Sequence, residues 1–158
     1  MIIDLADVKD IPLVARLERE IFSEPWSKES LLATLKMRET IFLVARENDR
    51  VAGYAICYTA SDEADITNVA VAEEFRRSNY GMNLVAHLII RGGKRGVKRF
   101  YLEVRQSNEA AKKMYDKLGF TKLGIRKNYY DKPVEDAVLM GYVLRSAAKS
   151  EDEIDDDN

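Results

Sequence analysis

The sequence has 158 residues, of which 46% are hydrophobic and 33% charged, and its formal net charge is -2. This balance is typical of a single globular domain, and it provides no excess of positive charge that would draw nucleic acid. No apolar run reaches the roughly 20 residues that a membrane span needs, and the first residues lack a secretory-signal pattern, so we expect a cytoplasmic protein that binds neither nucleic acid nor membrane.

The scarce residue types limit the chemistry further. The chain has one cysteine and one histidine, so an internal disulfide cannot form and the usual set of zinc ligands is missing. Cys57 lies in the apolar segment YAIC, where a buried structural thiol is expected, and His87 lies in an apolar, helix-like stretch. We therefore expect no metal site.

The N-terminal part of the chain predicts two helices after a short β-like start that ends near Leu5. Asp10 is suited to cap the first helix, and Pro12 is tolerated in its first turn. The apolar side of this helix consists of Ile11, Val14, Leu17 and Ile21. The sequence Glu24-Pro25-Trp26 interrupts the pattern, and Ser27 is expected to cap a second, shorter helix. The apolar side of that helix consists of Leu31, Leu32 and Leu35.

The middle of the chain predicts three strands and a helix. Residues 41–45 and 51–58 flank an Asn48-Asp49 turn, as in an antiparallel hairpin, and a third strand is expected at residues 64–71. The following helix is expected to end at the Gly92-Gly93 pair, because glycine is a poor helix former. Its apolar positions at helical spacing are Met82, Val85, Ala86 and Ile89.

The remaining elements complete an α+β pattern. A strand is expected at residues 100–104, a helix at residues 108–118 that Gly119 stops, and two strands at residues 121–130 and 137–144. This order of elements favours an α+β fold with one or two parallel crossovers.

The domain organisation is simple, because the chain contains neither an internal repeat nor a linker. We expect one domain at residues 1–145. Residues 146–158 include the sequence SEDEIDDDN and are expected to form an acidic, disordered tail without a catalytic role.

The segment NVAVAEEFRRSNYGMNLV predicts an anion site. It leads from a strand through a loop with Arg76, Arg77 and Gly81 into a helix, so that backbone N–H groups and a helix N-terminus can point at one place. A plain surface turn is equally consistent with this segment. The loop matches neither the nucleotide P-loop nor the dinucleotide-binding glycine pattern.

The segment YLEVRQSNEAAKKMYDKLGF predicts a groove. Asn108, Ala111 and Tyr115 are three and four residues apart and share one helix face. Glu103 lies on the preceding strand, and its side chain can point toward the same groove if its two neighbours face a helix layer. The alternative is a solvated glutamate and a core tyrosine. Asp65 is expected to share a strand face with Val69, either as a second base or as a surface carboxylate.

Three blocks of the sequence resemble the GNAT superfamily of N-acetyltransferases. RRSNYG resembles the loop pattern [Q/R]-x-x-G-x-[G/A], with Asn79 in place of the first glycine. LEVRQSNEAAKKMYDKLGF and RKNYYDKPVEDAVLM resemble blocks of ribosomal-protein-alanine acetyltransferases and of archaeal and eukaryotic N-terminal acetyltransferase catalytic subunits. The resemblance runs in order from about residue 5 to residue 144.

This resemblance implies a GNAT fold, with a mostly antiparallel mixed sheet of about seven strands, about four helices, and a splay between the fourth and fifth strands. It also implies acetyl-CoA as co-substrate and the α-amino group of a protein or peptide N-terminus as acceptor. A ribosomal protein and nascent chains both remain open as targets, as does an auxiliary subunit.

The resemblance further implies roles for individual residues. Glu103 corresponds to a general base and Tyr115 to a general acid. The residues implied to bind the cofactor are Val69, Ala70, Val71, Arg76, Arg77, Ser78, Asn79, Tyr80, Gly81, Met82 and Asn108. Those implied to flank the acceptor peptide are Glu24, Pro25, Trp26, Tyr129 and Tyr130. For Trp26, a hydrophobic contact at the start of the second helix is an equal alternative.

Two other interpretations stay open. The same fold acetylates small amines such as polyamines or antibiotics in some members of the superfamily. The replacement of a loop glycine by Asn79 makes a catalytically silent CoA-binding subunit conceivable, although both Glu103 and Tyr115 are present.

Overall fold

A computed structural model describes residues 1–145, which form one mixed sheet flanked by four α-helices. The strands are β1 Ile2–Leu5, β2 Thr40–Glu47, β3 Arg50–Ala60, β4 Glu63–Val71, β5 Arg99–Arg105, β6 Thr121–Asp131 and β7 Val134–Val143. The helices are α1 Ile11–Ile21, α2 Lys28–Lys36, α3 Tyr80–Lys94 and α4 Glu109–Leu118. The acidic tail predicted at residues 146–158 lies outside the described residues.

The seven strands are ordered β1-β2-β3-β4-β5-β7-β6. β1 to β4 pair antiparallel with their neighbours, β5, β7 and β6 do the same, and β4 with β5 is the parallel pair that joins the two groups. The predicted α+β fold with a mixed, mostly antiparallel sheet is therefore confirmed. Within residues 1–145, no helix combines the length and apolarity needed to cross a membrane.

The sheet separates two hydrophobic layers. On β2, Leu43 packs in a cluster with Leu84 of α3, whereas its neighbour Val44 packs in a second cluster with Val14 of α1 and Leu31 of α2. Alternate side chains of a strand point to opposite faces. The sheet therefore has an α3–α4 face and an α1–α2 face.

The predicted end of α3 at Gly92-Gly93 is wrong, because the helix continues to Lys94. A Cβ atom on Gly92 would lie 2.7 Å from the Phe100 ring, and one on Gly93 would lie 2.7 Å from Leu144. Such distances do not occur in real structures, so the glycines let the helix lie directly on the sheet. Close packing offsets the roughly 1 kcal/mol that each glycine costs within a helix.

Candidate active site

The sheet opens between β4 and β5. The two strands pair only at Glu63 with Arg99, Ala64 with Phe100, and Asp65 with Tyr101. β4 then continues to Val71 and β5 to Arg105 without pairing to each other. The splay that the family resemblance implied is therefore confirmed.

A β-bulge in β4 accompanies this opening. Ile56 of β3 pairs with Asn68, and Cys57 pairs with Ile66, so Thr67 has no partner in the register. A bulge bends its strand and increases the local twist. It also reverses the alternation of side chains.

The bulge changes the place of Asp65. Ile66 and Val69 both pack in the α3–α4 cluster although they are three residues apart, and Asp65 is exposed in the part of β4 that still pairs with β5. The prediction that Asp65 and Val69 share a strand face is therefore wrong. A single extra residue, Thr67, accounts for the difference.

A cleft of about 550 Å³ lies along the unpaired part of β4. It is bordered by the end of β4, the loop into α3, the start of α3, and one side of α4. The sequence-predicted residues that line it are Val69, Ala70, Val71, Arg76, Arg77, Asn79, Tyr80, Gly81, Met82 and Tyr115. Ser78 and Asn108 are not among the lining residues, and the side chain of Asn108 instead caps α4 by accepting from the Ala111 N–H at 3.1 Å.

The loop before α3 uses two left-handed residues. Arg77 has φ 66° and Asn79 has φ 62°, and Asn79 is the N-cap residue that directly precedes α3. Asparagine tolerates this conformation better than most residues, so Asn79 replaces the usual glycine without disrupting the loop. The first N–H groups of α3, at the cleft, have no partner within the helix. This is the arrangement that binds anions.

Gly81 lets α3 and α4 approach each other at this end of the cleft. A Cβ atom on Gly81 would lie 3.0 Å from the sulfur of Met114. Four cationic side chains surround the same region: Arg76 and Arg77 from the loop, and Lys113 and Lys117 from α4. The two lysines were not predicted from the sequence, although their spacing of four residues places them on one helix face.

Tyr115 projects from α4 into the inner end of the cleft and is buried. Its ring packs 5.6 Å from that of Phe120. Burial, and to a smaller extent the nearby Tyr130, raise the pKa of Tyr115 above its usual value. The phenol therefore stays protonated at neutral pH, and within residues 1–145 its hydroxyl makes no hydrogen bond.

Glu103 lies on the other face of the sheet. Its neighbours Leu102 and Val104 pack in the α3–α4 cluster, so the carboxylate points toward the α1–α2 face. Its side chain is 27% exposed and forms an ion pair with Arg126, in which Nε of Arg126 lies 3.2 Å from Oε1 of Glu103. Glu103 does not line the cleft, and the gap between β4 and β5 is what connects it to the face that holds Tyr115.

Tyr130 interacts electrostatically with both Tyr115 and Glu103. Burial raises the pKa of Tyr130 to about 12, with smaller contributions from Tyr129 and Glu103. Tyr130 in turn raises the pKa of Tyr115. Tyr130 therefore lies near both Tyr115 and Glu103.

Two of the residues expected to flank an acceptor peptide, Trp26 and Tyr130, contact side chains of the α1–α2 face. Tyr129 is 51% exposed, and its ring stands perpendicular to that of Tyr130 at 5.0 Å. The Tyr130 ring covers the Arg105 guanidinium at 4.3 Å. Glu24 and Pro25 are exposed, whereas Trp26 is half-buried against the α1–α2 cluster.

Comparison with known proteins adds to this geometry. The model of the acetyltransferase (GNAT) family matches residues 11–120. The [ribosomal protein bS18]-alanine N-acetyltransferase of Haemophilus ducreyi is 38% identical over 139 residues, which cover 86% of this chain and 95% of that protein. The matched region includes the strand, loop and helices that border the cleft.

Two solved structures share the whole architecture. The ribosomal-protein-S18-alanine N-acetyltransferase from Escherichia coli superposes with a TM-score of 0.84 at 32% identity, covering 94% of this chain and 97% of that one. Ard1 from Thermoplasma volcanium superposes with a TM-score of 0.84 at 26% identity, covering 92% of this chain and 98% of that one.

Proposed function

The chain belongs to the acetyltransferase (GNAT) family, and we propose that it transfers an acetyl group from acetyl-CoA to the α-amino group of a protein N-terminus. The observation that carries the proposal is the gap between β4 and β5, which has a protonated phenol, Tyr115, on one face and a carboxylate, Glu103, on the other. The relatives that are at least 30% identical to this chain are named for the alanine of a ribosomal protein.

The cleft fits acetyl-CoA. The main chain of residues 69–71 pairs with β3 but not with β5, so on the β5 side it offers N–H and C=O groups to the amides of the pantetheine arm. The left-handed loop and the N-terminus of α3 offer N–H groups to the pyrophosphate, and Arg76 and Arg77 add positive charge. Lys113 and Lys117 stand at the same cleft and suit the remaining phosphate.

The proposed reaction is a direct attack. The amine nitrogen bonds to the thioester carbon, the carbon–sulfur bond breaks, Glu103 accepts a proton from the amine, and Tyr115 donates a proton to the leaving sulfur. An α-amine has a pKa near ~8, whereas a lysine amine has one near ~10.4, so the α-amine needs less help to become neutral. Arg126 orients the Glu103 carboxylate through their ion pair.

The acceptor side offers groups that suit an extended peptide. Tyr129 presents an exposed phenol that can bond peptide groups, and Glu24 is an exposed carboxylate that can attract a free amine. The half-buried Trp26 provides an apolar wall beside them. Because the named relatives act on alanine, a peptide that begins with alanine is the first substrate to test.

The test is CoA release from acetyl-CoA with peptides that differ only in their first residue. We expect release with a free α-amine and none when the same peptide carries a blocked N-terminus and an internal lysine. Polyamines and an aminoglycoside serve as small-amine controls, and CoA binding is measured separately by calorimetry.

The other outcomes distinguish the alternatives. Turnover with the small amines alone would replace the peptide by a small acceptor. CoA binding without turnover of any amine would instead identify a silent subunit. Absence of both binding and turnover would contradict the cleft assignment itself.

A further inference from the structure

Glu18 is a buried carboxylate that the proposed reaction does not use. It lies in α1 and is 1% exposed. Burial raises its pKa, while hydrogen bonds from the Trp26 backbone and the Asn68 side chain act in the opposite direction. Burial of a carboxylate costs several kcal/mol of folding free energy unless its oxygens accept hydrogen bonds. The hydrogen-bond partners of Glu18 therefore indicate its role.

Those partners come from three separate segments. The Tyr54 hydroxyl of β3 donates to Glu18 Oε2, and the Trp26 N–H donates to Glu18 Oε1 at 3.1 Å. The side-chain amide of Asn68 in β4 lies near the carboxylate and acts to lower its pKa. Glu18 therefore joins the connection between α1 and α2, residues 22–27, to β3, and Tyr54 of β3 pairs with Ala70 of the strand that borders the active-site gap.

Asn68 lies in β4, between the β-bulge and the cleft. It directly follows the bulged residue Thr67 and directly precedes Val69, where the lining of the cleft begins. Asn68 is 5% exposed, and within residues 1–145 its Oδ1 is a buried side-chain oxygen without a hydrogen-bond partner. An unpaired buried acceptor costs about 1–3 kcal/mol, so the amide is poorly explained by packing alone. Asn68 therefore places a buried polar group at the bulge, beside Glu18.

We propose that Glu18 is a positioning residue that fixes residues 22–27 against β3, next to the bulge of β4, and thereby sets the acceptor side of the active site. The inference rests on the proposed function, because residues 22–27 contain Glu24 and Trp26 of the acceptor side. When the carboxylate is removed, the Trp26 N–H loses its partner and the connection is no longer held at a fixed distance from the gap. Acceptor binding then suffers, whereas the cofactor cleft on the opposite face keeps its shape.

A matched control is available on the same helix. Asp10 stands at the N-terminal end of α1 and is also a buried carboxylate, at 4% exposure. It accepts from the Asp7 N–H at 2.7 Å and pairs with Arg46 of β2. Its contacts involve neither residues 22–27 nor β4, so Asp10→Asn tests the loss of a buried carboxylate without the loss of this link.

The experiment compares Glu18→Leu, Glu18→Gln and Tyr54→Phe with Asp10→Asn and the unaltered chain. For Glu18→Leu we expect the peptide KM to rise about tenfold while the acetyl-CoA KM and kcat stay within about twofold. Glu18→Gln keeps an oxygen for the Trp26 N–H and restores part of the peptide affinity. If Glu18→Leu does not fold, the other two variants carry the comparison.

A second measurement does not depend on turnover. Trp26 is the only tryptophan in the chain, so its emission and its quenching by acrylamide report the connection directly. We expect a red shift and stronger quenching in the Glu18 variants, and unchanged values in Asp10→Asn.

The outcomes separate the two proposals. Unchanged Trp26 emission in the Glu18 variants, or an equal rise of both KM values, overturns the positioning role. An effect of Asp10→Asn on the peptide KM as large as that of Glu18→Leu overturns it too, because general destabilisation would then explain both. Lack of peptide turnover by the unaltered chain, in contrast, refutes the proposed acceptor and with it the role of Glu18 toward that acceptor.

Discussion

The α3–α4 face and the α1–α2 face of the sheet both border the gap between β4 and β5, but they are built differently. On the α3–α4 face, the cleft is lined by one nearly continuous stretch, residues 69–82, and by one side of α4. It presents main-chain groups, a helix N-terminus and diffuse positive charge. On the α1–α2 face, the candidate groups come from the α1–α2 connection, from β5 and from β6, and they are individual side chains. Cofactor binding should therefore depend on backbone shape, and acceptor choice on side-chain identity.

The largest effect is expected from the proposed base. Glu103→Gln keeps the shape of the side chain but removes its ability to accept a proton, so kcat/KM should fall about 10²- to 10⁴-fold. Steady-state CoA release measures it. Glu63→Gln, an exposed carboxylate on β4, is the control and should leave the rate unchanged. A loss smaller than about fivefold would mean that another group accepts the proton.

Tyr115, the proposed acid, lies on the other face of the sheet. Its substitution should lower kcat by a comparable factor and leave both KM values nearly unchanged. Tyr115→Phe removes one hydroxyl that bonds to nothing in residues 1–145, so we expect kcat to fall about 10²-fold with both KM values nearly unchanged. Because the pKa of Tyr115 is raised, its ionisation should not reduce kcat as the pH rises from 7 to about 10. Tyr142→Phe, in the same aromatic cluster, is the control. An alkaline loss of activity that disappears in Tyr115→Phe would contradict the shifted pKa.

The cationic side chains at the cleft should affect the binding of acetyl-CoA but not that of the peptide. Replacing both Lys113 and Lys117 by Gln should raise the acetyl-CoA KM about tenfold at low salt and less at high salt, because these exposed charges are screened. The peptide KM should not change. Lys122→Gln, on β6, controls for the loss of positive charge. An equal rise of both KM values would remove the contrast between the two faces.

Tyr129, on the acceptor side, should affect the binding of the peptide but not that of acetyl-CoA. Tyr129→Phe removes a hydroxyl that an extended peptide can use, and one hydrogen bond is worth about 0.5–1.5 kcal/mol, so the peptide KM should rise about two- to tenfold. The acetyl-CoA KM measured on the same variant is the internal control. A change in the acetyl-CoA KM instead would place this side chain at the cofactor.

The smallest effect concerns the left-handed loop. Asn79→Ala forces a residue with poor tolerance into φ 62° and should lower the free energy of unfolding by about 1 kcal/mol, as measured in urea. Asn79→Gly should cost less, because glycine adopts this conformation without strain. Equal losses in the two variants would show that the asparagine side chain, rather than the backbone conformation, stabilises the loop.

The same contrast explains what the sequence could predict. The cofactor side is local in sequence, so the strand, the loop and the helix start were visible in one segment. Asn79 drew attention there because it replaces a glycine of the family pattern. Lys113 and Lys117 were missed because exposed lysines on a helix usually indicate a solvated face. They become informative only when α4 is placed beside the loop.

The acceptor side and the register depend on contacts between distant segments. The face of Asp65 was predicted wrongly because strict alternation cannot anticipate the extra residue Thr67. The helix end at Gly92-Gly93 was predicted wrongly because the ring of Phe100, which requires the glycine, belongs to another element. Glu18 gave no signal, since its partners lie 8, 36 and 50 positions away in the chain.

Because pairing between β4 and β5 ends at Asp65, next to the bulge, each of these two strands has an unpaired edge in the interior of the sheet. A free strand border normally recruits another polypeptide, and this is a route to aggregation. Here the border of β4 faces a cleft of about 550 Å³ that is lined by the loop before α3 and by α4. The pantetheine arm of the proposed cofactor carries amides, so its arrival would complete the architecture like a missing strand. Occupancy should then appear as thermal protection that grows with the logarithm of the acetyl-CoA concentration.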